Sequence, residues 1–495
     1  MKFQLPAKMR LGVGAAAVAA LSLVSACGTR VNLASSGVAQ QGDAFALADT
    51  PAATSDLGLG TSPLQNSSTT SGVPGVTPAT NDVARAGGVE SNSSQVPNVS
   101  GAKPSALVVG VVTSGNVGAY AGALGMAANF GDQRAQAQLV ANYVNSHGGI
   151  ANHPVSLTFY DYSAGQDAAT NAQAACAAFT QDHHAFAGIG IAGMDDSYHA
   201  CAAKRSMFVI ADADRKGASF FKRYPTTILV GEANLTRKYY ALAYALKANN
   251  YFTKNAKVGI LYSDEANEIE GVNLGLKPAM AELGIKVSGE YAVSNDATAY
   301  TSQISGAALK MRSDGITHVI FAGPSALTFG QAAQNQGYRP AFGLDSRQSP
   351  ALVLQGALSP DTLAATVGLG YLPLLDVDAA HDPGPVSANA TLCKNLFVKA
   401  GQWPSSRLTQ AAALYICDEL FFLHAVFKGH SGVTRSDFLN GIAAIGDSYQ
   451  STWTFATRYS ATQHEGAYIY RPFKFSRACN CFIYSAPKAL MKTKN

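Results

Sequence analysis

The chain has 495 residues, 14% of them charged and 47% hydrophobic, with a formal net charge of +4. That length is more than one domain needs, and so lean a charge content implies a large core beneath a surface rich in Ser, Thr, Asn and Gln. The positive charge is scattered, with no basic block interleaved with aromatics, which argues against a nucleic-acid partner.

Lys2, Lys8 and Arg10 precede an apolar run from Leu11 to Val24, followed by Ser25, Ala26 and Cys27. A basic start, a short apolar stretch and small residues before a cut describe an export signal. The run falls short of the roughly 20 apolar residues that a membrane span needs. Leu23-Val24-Ser25-Ala26-Cys27 resembles the bacterial lipobox, in which the cysteine is acylated and becomes the mature N-terminus. Residues 1–27 therefore read as a lipoprotein signal peptide, with lipid (palmitate) on Cys27. Plain cleavage after Ala26 is the alternative. Residues 28–104, typified by NSSTTSGVPGVTPAT, cannot bury enough apolar area to offset ordering entropy and read as a flexible tether.

From residue 105 onward, short apolar runs alternate with segments of helical spacing, the pattern of βαβ units and of a parallel sheet covered on both faces. Strands are expected at Ala106–Val112, Val155–Tyr160, Ala185–Gly190, Met207–Ala211 and Thr226–Val230. Helices are expected at Asp132–Ser146, closed by Gly148-Gly149, and at Ala168–Gln181. The alternation resumes with strands at Lys257–Tyr262, Lys286–Ala292, His318–Phe321, Ala341–Leu344 and Thr366–Tyr371. Helices fall near Glu268–Leu283 and Thr301–Arg312, and another ends near Gln336. Two further helices, Ala388–Ala400 and Leu408–Lys428, precede a β-like tail at Ala467–Phe475.

Beyond Cys27, six cysteines remain, and an even number in an exported chain suggests disulfides, with 15 possible connectivities. The favoured pairs are Cys176–Cys201 and Cys393–Cys417, each joining neighbouring helices, with Cys479 and Cys481 paired locally or reduced. No CxxC pair or His spacing supports a zinc site, and no metal or other cofactor is expected.

GVVTSG, FGDQ, VNSHGGIANHPVSLTFYDYSAGQ and the later KVGILYSDE and SDGITHVIFAGPSA together resemble the type I periplasmic binding proteins. The nearest branch is the leucine/isoleucine/valine-binding solute-binding lipoproteins of ABC transporters. The resemblance spans roughly Leu107–Leu372, and the Gly148-Gly149-Ile150 turn leading to Tyr160-Asp161 is its most specific part. It implies an α/β fold of two doubly wound parallel-sheet lobes joined by a three-crossing hinge. Lobe 1 would take residues 105–230 and 372–455, and lobe 2 residues 231–371 and 456–495.

The resemblance also implies a small-molecule solute held between the lobes, an ABC permease in the membrane as partner, and a monomer lipid-anchored outside the cytoplasm. One wall would be Ser114, Gly115, Phe130, Asp195, Asp196, Ser197 and Asp212. The other would be Tyr262, Asp264, Gly323, Ser325 and Asp345, with Tyr371 at the hinge. Hydroxyls and free N–H groups there would replace the water a polar solute loses on closure. Asp195, Asp196 and Ser197 have a plainer reading as a helix N-cap, Asp264 and Asp345 as solvated loop tips, Phe130 as core, and Tyr371 as a hinge brace.

The sequence departs from that branch in three places. The Asn116–Asn129 loop is about ten residues longer than expected. Met194-Asp195-Asp196 replaces a Ser-rich turn, and Asp212-Ala213-Asp214 replaces an Ala-Thr turn. Acids in a cleft would favour a cationic or hydroxyl-rich solute over a branched-chain amino acid.

An enzyme is disfavoured. Asp195, Asp196 and His199 could be imagined as acid/base groups, but no nucleophile motif or P-loop accompanies them, and His199 is expected to face out from its helix. A ligand-sensing or envelope interaction protein on the same fold is the alternative function.

Overall fold

The computed structural model describes residues 105–492, except 117, 119–128, 165, 191–193, 212–213 and 295–298. The signal segment with Cys27, the 28–104 stretch, Asp212 and most of the Asn116–Asn129 loop lie outside the described residues.

Sheet 1 contains β1 (Leu107–Thr113), β2 (Val155–Asp161), β3 (Ala187–Gly190), β4 (Phe208–Ala211) and β5 (Thr227–Leu229). These run parallel in the order β2-β1-β3-β4-β5. β3, β4 and β5 are buried along their whole length, which is why they read as unbroken apolar runs without alternation. Helices α1 (Gln133–Ser146), α2 (Ala168–Ala177), α3 (Asp196–Lys204) and α4 (Ala218–Arg223) supply the crossovers. Asp132 starts α1 by accepting from the Ala135 N–H, and Gln136, Ala137, Val140, Ala141 and Val144 bury one stripe of it.

After β5 the chain passes through residues 230–234 into α5 (Leu235–Ala248), which packs on the second sheet. That sheet contains β6 (Val258–Ser263), β7 (Val287–Val293), β8 (His318–Ala322), β9 (Ala341–Asp345) and β10 (Val367–Gly370). These again run parallel, in the order β7-β6-β8-β9-β10, so both sheets share one winding. Its helices include α6 (Ala266–Gly271), α7 (Lys277–Glu282), α8 (Tyr300–Ser313) and α9 (Ala326–Asn335).

The chain then returns to sheet 1. Helices α10 (Ala388–Lys399), α11 (Arg407–Val426) and α12 (Arg435–Ile445) follow, and α11 packs on α1 and β3. Nearly every residue of α11 is buried, as expected of a helix apolar on all sides. The buried Asp418 carboxylate accepts from the Tyr449 hydroxyl (2.6 Å) and the Thr452 N–H (2.9 Å), pinning the stretch after α12. A third passage leads to β11 (Ile469–Ser476), antiparallel to β10, and then to β12 (Cys481–Tyr484) and β13 (Ala489–Leu490).

Several local features differ from the sequence reading. The helix after Ala168 relaxes into a π turn at Ala178–Asp182. The helix expected at Glu268–Leu283 is broken by a π turn at Val272–Leu276, where Gly275 lies so close to the Thr236 carbonyl that a Cβ would stand 2.2 Å from it. Helix α12 was not expected, although Thr434 and Asp437 form a capping box at its start. The tail is a hairpin rather than a single strand.

Disulfides join Cys176 to Cys201 and Cys393 to Cys417, with Cα–Cα distances of 6.3 and 6.0 Å, and Cys479 to Cys481 across the β11–β12 turn. Among the described residues no helix is long and apolar enough to cross a membrane.

Candidate functional site

In each sheet the chain winds outward in both directions from one pair of strands: β1/β3 in sheet 1 and β6/β8 in sheet 2. The crevice beyond the carboxyl ends of such a pair is where open α/β sheets take ligands.

At the sheet 1 end, Thr113, Ser114, Gly115 and Asn116 follow β1, Asp161, Tyr162 and Ser163 follow β2, and Gly131, Asp132, Gln133 and Arg134 open α1. Together they line a depression of about 510 Å³. Gly115 has φ +49° and lies against the Tyr162 carbonyl, where a Cβ would stand at 2.0 Å, so glycine is required for this close approach. Ser114 is not a free backbone donor, because its N–H is held by the Gln133 side-chain carbonyl at 2.6 Å. On the rim, Arg134 pairs with Asp161 at 2.8 Å, and the Thr113 hydroxyl donates to Asp161 at 2.6 Å. These contacts, the hydroxyl's first, hold the Asp161 carboxyl below its ordinary value. Phe130 is buried in the core and is not among the lining residues.

The acidic turns differ from expectation. Asp195 caps α3 by accepting from the Ser197 N–H at 2.8 Å. Asp196 takes Lys216 Nζ at 2.9 Å, and the same ammonium donates to the Met194 carbonyl. The chain's own lysine therefore offsets this acid. The half-buried Ser197 keeps a hydroxyl with no partner among the described residues. Asp212 lies outside the described residues.

His199 does not face solvent. It is 1% exposed, with Nε2 at 2.9 Å from Asp214 and Nδ1 at 3.2 Å from the Thr227 hydroxyl. Burial holds its imidazole below the ordinary value despite Asp214, so it ties α3 to β5 as a neutral ring.

At the sheet 2 end, Tyr262 is half-buried and Asp264 is exposed. Gly323 and Asp345 face protein cations. Gly323 (φ +113°) presents its carbonyl to Arg215 Nη1 at 3.4 Å. Arg215 comes from the segment after β4 of sheet 1, donates to the Tyr239 hydroxyl at 2.9 Å and pairs with Glu268 of α6. Burial works against the Arg215 charge, but Glu268 outweighs it and holds the guanidinium well above its ordinary value. The same segment is stitched to α6 by the Gly217 N–H on Asn267 (3.0 Å) and the Ser219 N–H on Glu270 (2.8 Å). Ser325 is buried as the cap of α9, its N–H donating to the Tyr300 hydroxyl at 2.7 Å.

Asp345 is not a solvated tip. It is buried, 3.5 Å from Lys238 Nζ. Lys238 lies 3.6 Å from Glu232, which also binds Arg347 and accepts the Tyr371 hydroxyl. Arg347 donates to the Tyr415 hydroxyl at 2.7 Å and lies 5.0 Å above the Trp453 ring. Burial would raise the Glu232 carboxyl, but Arg347 and Lys238 hold it below its ordinary value.

The structure thus brings Asp345 and Tyr371 into one buried ionic cluster at the crossings, while Ser114 and Gly115 line a separate, open depression. The sequence reading missed Arg215, Glu232, Lys238, Glu268 and Arg347. In a chain so poor in charge, Arg and Lys immediately after strands, as in DADRK and DSRQ, were the available signal.

No protein-family model matches the sequence, and no curated protein matches it. Solved structures do. The chain is similar to an ABC-transporter substrate-binding protein from Desulfitobacterium hafniense in complex with Leu, at 12% identity and TM-score 0.52, covering 77% of this chain and 99% of that one. It is similar to a solute-binding protein of an ABC transporter from Rhodopseudomonas palustris HaA2 in complex with p-hydroxybenzoic acid, at 12% identity and TM-score 0.57, covering 78% and 98%. A possible leucine/isoleucine/valine-binding protein from Rhodopirellula baltica SH 1 matches at 14% identity and TM-score 0.53, covering 78% and 97%. At these identities the likeness is one of fold, and the fold is that of the type I periplasmic binding proteins.

Proposed function

We propose that this chain is the extracytoplasmic solute-binding component of an ABC transporter, capturing a small polar solute and presenting it to a membrane permease. The observation that carries this reading is the pair of identically wound sheets, each ending in a switch-point crevice and joined by three passages of chain. That arrangement suits hinge closure about a solute. Lobe 1 (105–230 and 372–455) and lobe 2 (231–371 and 456–495) are the proposed moving bodies. Ser114 and Gly115 on one side and Tyr262 and Asp264 on the other are the proposed contacts. Acylation at Cys27 would hold the molecule at the membrane, and a Cys27→Ser chain would then be released from it.

Neighbours of the same fold are described with Leu and with p-hydroxybenzoic acid, which supports a small carboxylate-bearing solute as readily as an amide. Asp196 is already paired to Lys216 and so adds no free acid against such a solute. The test is a thermal-shift screen of the full chain against amino acids, amides, hydroxybenzoates, polyamines and sugars. A solute at about 100 times its Kd adds roughly 2.7 kcal/mol to folding stability. A hit that also reduces the radius of gyration in solution scattering supports capture by closure. The absence of any stabilising solute, or a hit with unchanged dimensions, refutes it.

A further inference from the structure

Apart from the depression at β1, a cavity of about 210 Å³ lies beneath the chain passage that follows β10. Its walls are Pro373 and Leu374 from that passage, Ala390 of α10, Leu414 of α11, and Trp403 and Trp453. These are the two tryptophans of the whole sequence. An apolar void of about 150 Å³ already admits a benzene ring, so this one holds a single ring or a short chain.

Its polar groups are few. Trp453 is 2% exposed, and its buried indole N–H has no acceptor among the described residues. Among the charged side chains lining the cavity, Asp382 is held by Arg407 at 2.9 Å, whereas Lys394 has no ion pair among the described residues. Aromatic walls with one cation at the rim form the pattern of a small-ligand pocket.

We propose that this cavity is a second binding site, taking a monocyclic or short-chain carboxylate, with the ring or chain against the tryptophans and the carboxylate toward Lys394. The site is coupled to the crossings. Trp453 stacks edge-on against Tyr415, with ring centroids 4.0 Å apart, and lies under Arg347, which binds Glu232 in the passage after β5. An occupant that shifts the indole therefore bears on the cluster through which the two sheets are joined.

The experiment is a titration of the full chain with benzoate, read by intrinsic tryptophan fluorescence, with benzyl alcohol as the uncharged counterpart. Both probes should give a saturable change. Lys394→Met should weaken benzoate by about fivefold and leave benzyl alcohol unchanged, the size of a rim charge contact. Ala390→Leu, which fills the cavity, should weaken both by about tenfold or more. Arg134→Ala, at the β1 depression, should change neither. No saturable change with either probe, wild-type binding by Ala390→Leu, or loss of binding in Arg134→Ala overturns the proposal. Because Lys394 is exposed, its variant keeps the charge assignment testable if Ala390→Leu folds poorly, and an equal effect on both probes overturns that assignment.

Discussion

Replacing Glu232 with Gln tests the buried cluster directly. Glu232 is fully buried and faces two cations, Arg347 and Lys238, the latter at 3.6 Å. At that distance and an effective dielectric of about 20, one such attraction amounts to roughly 4–5 kcal/mol. Part of it offsets the desolvation of the carboxylate, and removing one partner of a buried pair typically costs about 3–5 kcal/mol. Glu232→Gln preserves shape and can still accept the Tyr371 hydroxyl, so the loss is one of charge. A destabilisation of about 3–5 kcal/mol is expected in urea unfolding followed by circular dichroism.

Lys238→Met should cost less, because Glu232 keeps Arg347. The double variant should be more stable than the two single effects predict, by about 1–3 kcal/mol, since it strands one cation fewer. The sign with pH follows from the depressed Glu232 carboxyl. Its contribution is present above the ordinary value of 4.5 and is lost as pH falls through the folded-state value, so wild type and Glu232→Gln should converge in acid. Single effects that add within about 0.5 kcal/mol, or a difference that grows in acid, would refute the argument.

Burial raises the Asp376 carboxyl well above 3.8, against hydrogen bonds from Ser346, Tyr484 and the Leu372 N–H. The folded chain therefore holds a proton that the unfolded chain releases, and stability falls as pH rises from 3.8 toward the folded value. Asp376→Asn should remove that fall, so its Tm relative to wild type should climb across this window, and a flat difference would count against a protonated Asp376. Converting Cys176 and Cys201 together to Ala opens a link between residues 25 apart in sequence and should cost about 3.5 kcal/mol in chemical unfolding. A change below about 1 kcal/mol would mean that the unfolded chain is already confined there.

The alternation of apolar runs with helical spacing was sufficient to place every strand from β1 to β10 within a residue or two. Strands buried on both faces, such as AGIG and FVIA, leave little else for those residues to do. Asp132 and Asp195 were readable as helix starts because a cap is a local event. Sequence also gave the resemblance to a fold, carried by an ordered series of turns and not by any one residue.

What the side chains face was decided in three dimensions. His199 has the same local sequence whether it points outward or inward, and it is the packing of α3 over β5 that delivers it to Asp214 and Thr227. Asp345 and Tyr371 lie at strand ends where a solute contact was a fair reading. Lys238 and Glu232, as far as 139 residues away in sequence, claim them instead. Local pattern registers which residues share a helix or a strand. A charge buried between elements is settled by which distant partner can cancel its desolvation, and that depends on the assembled fold.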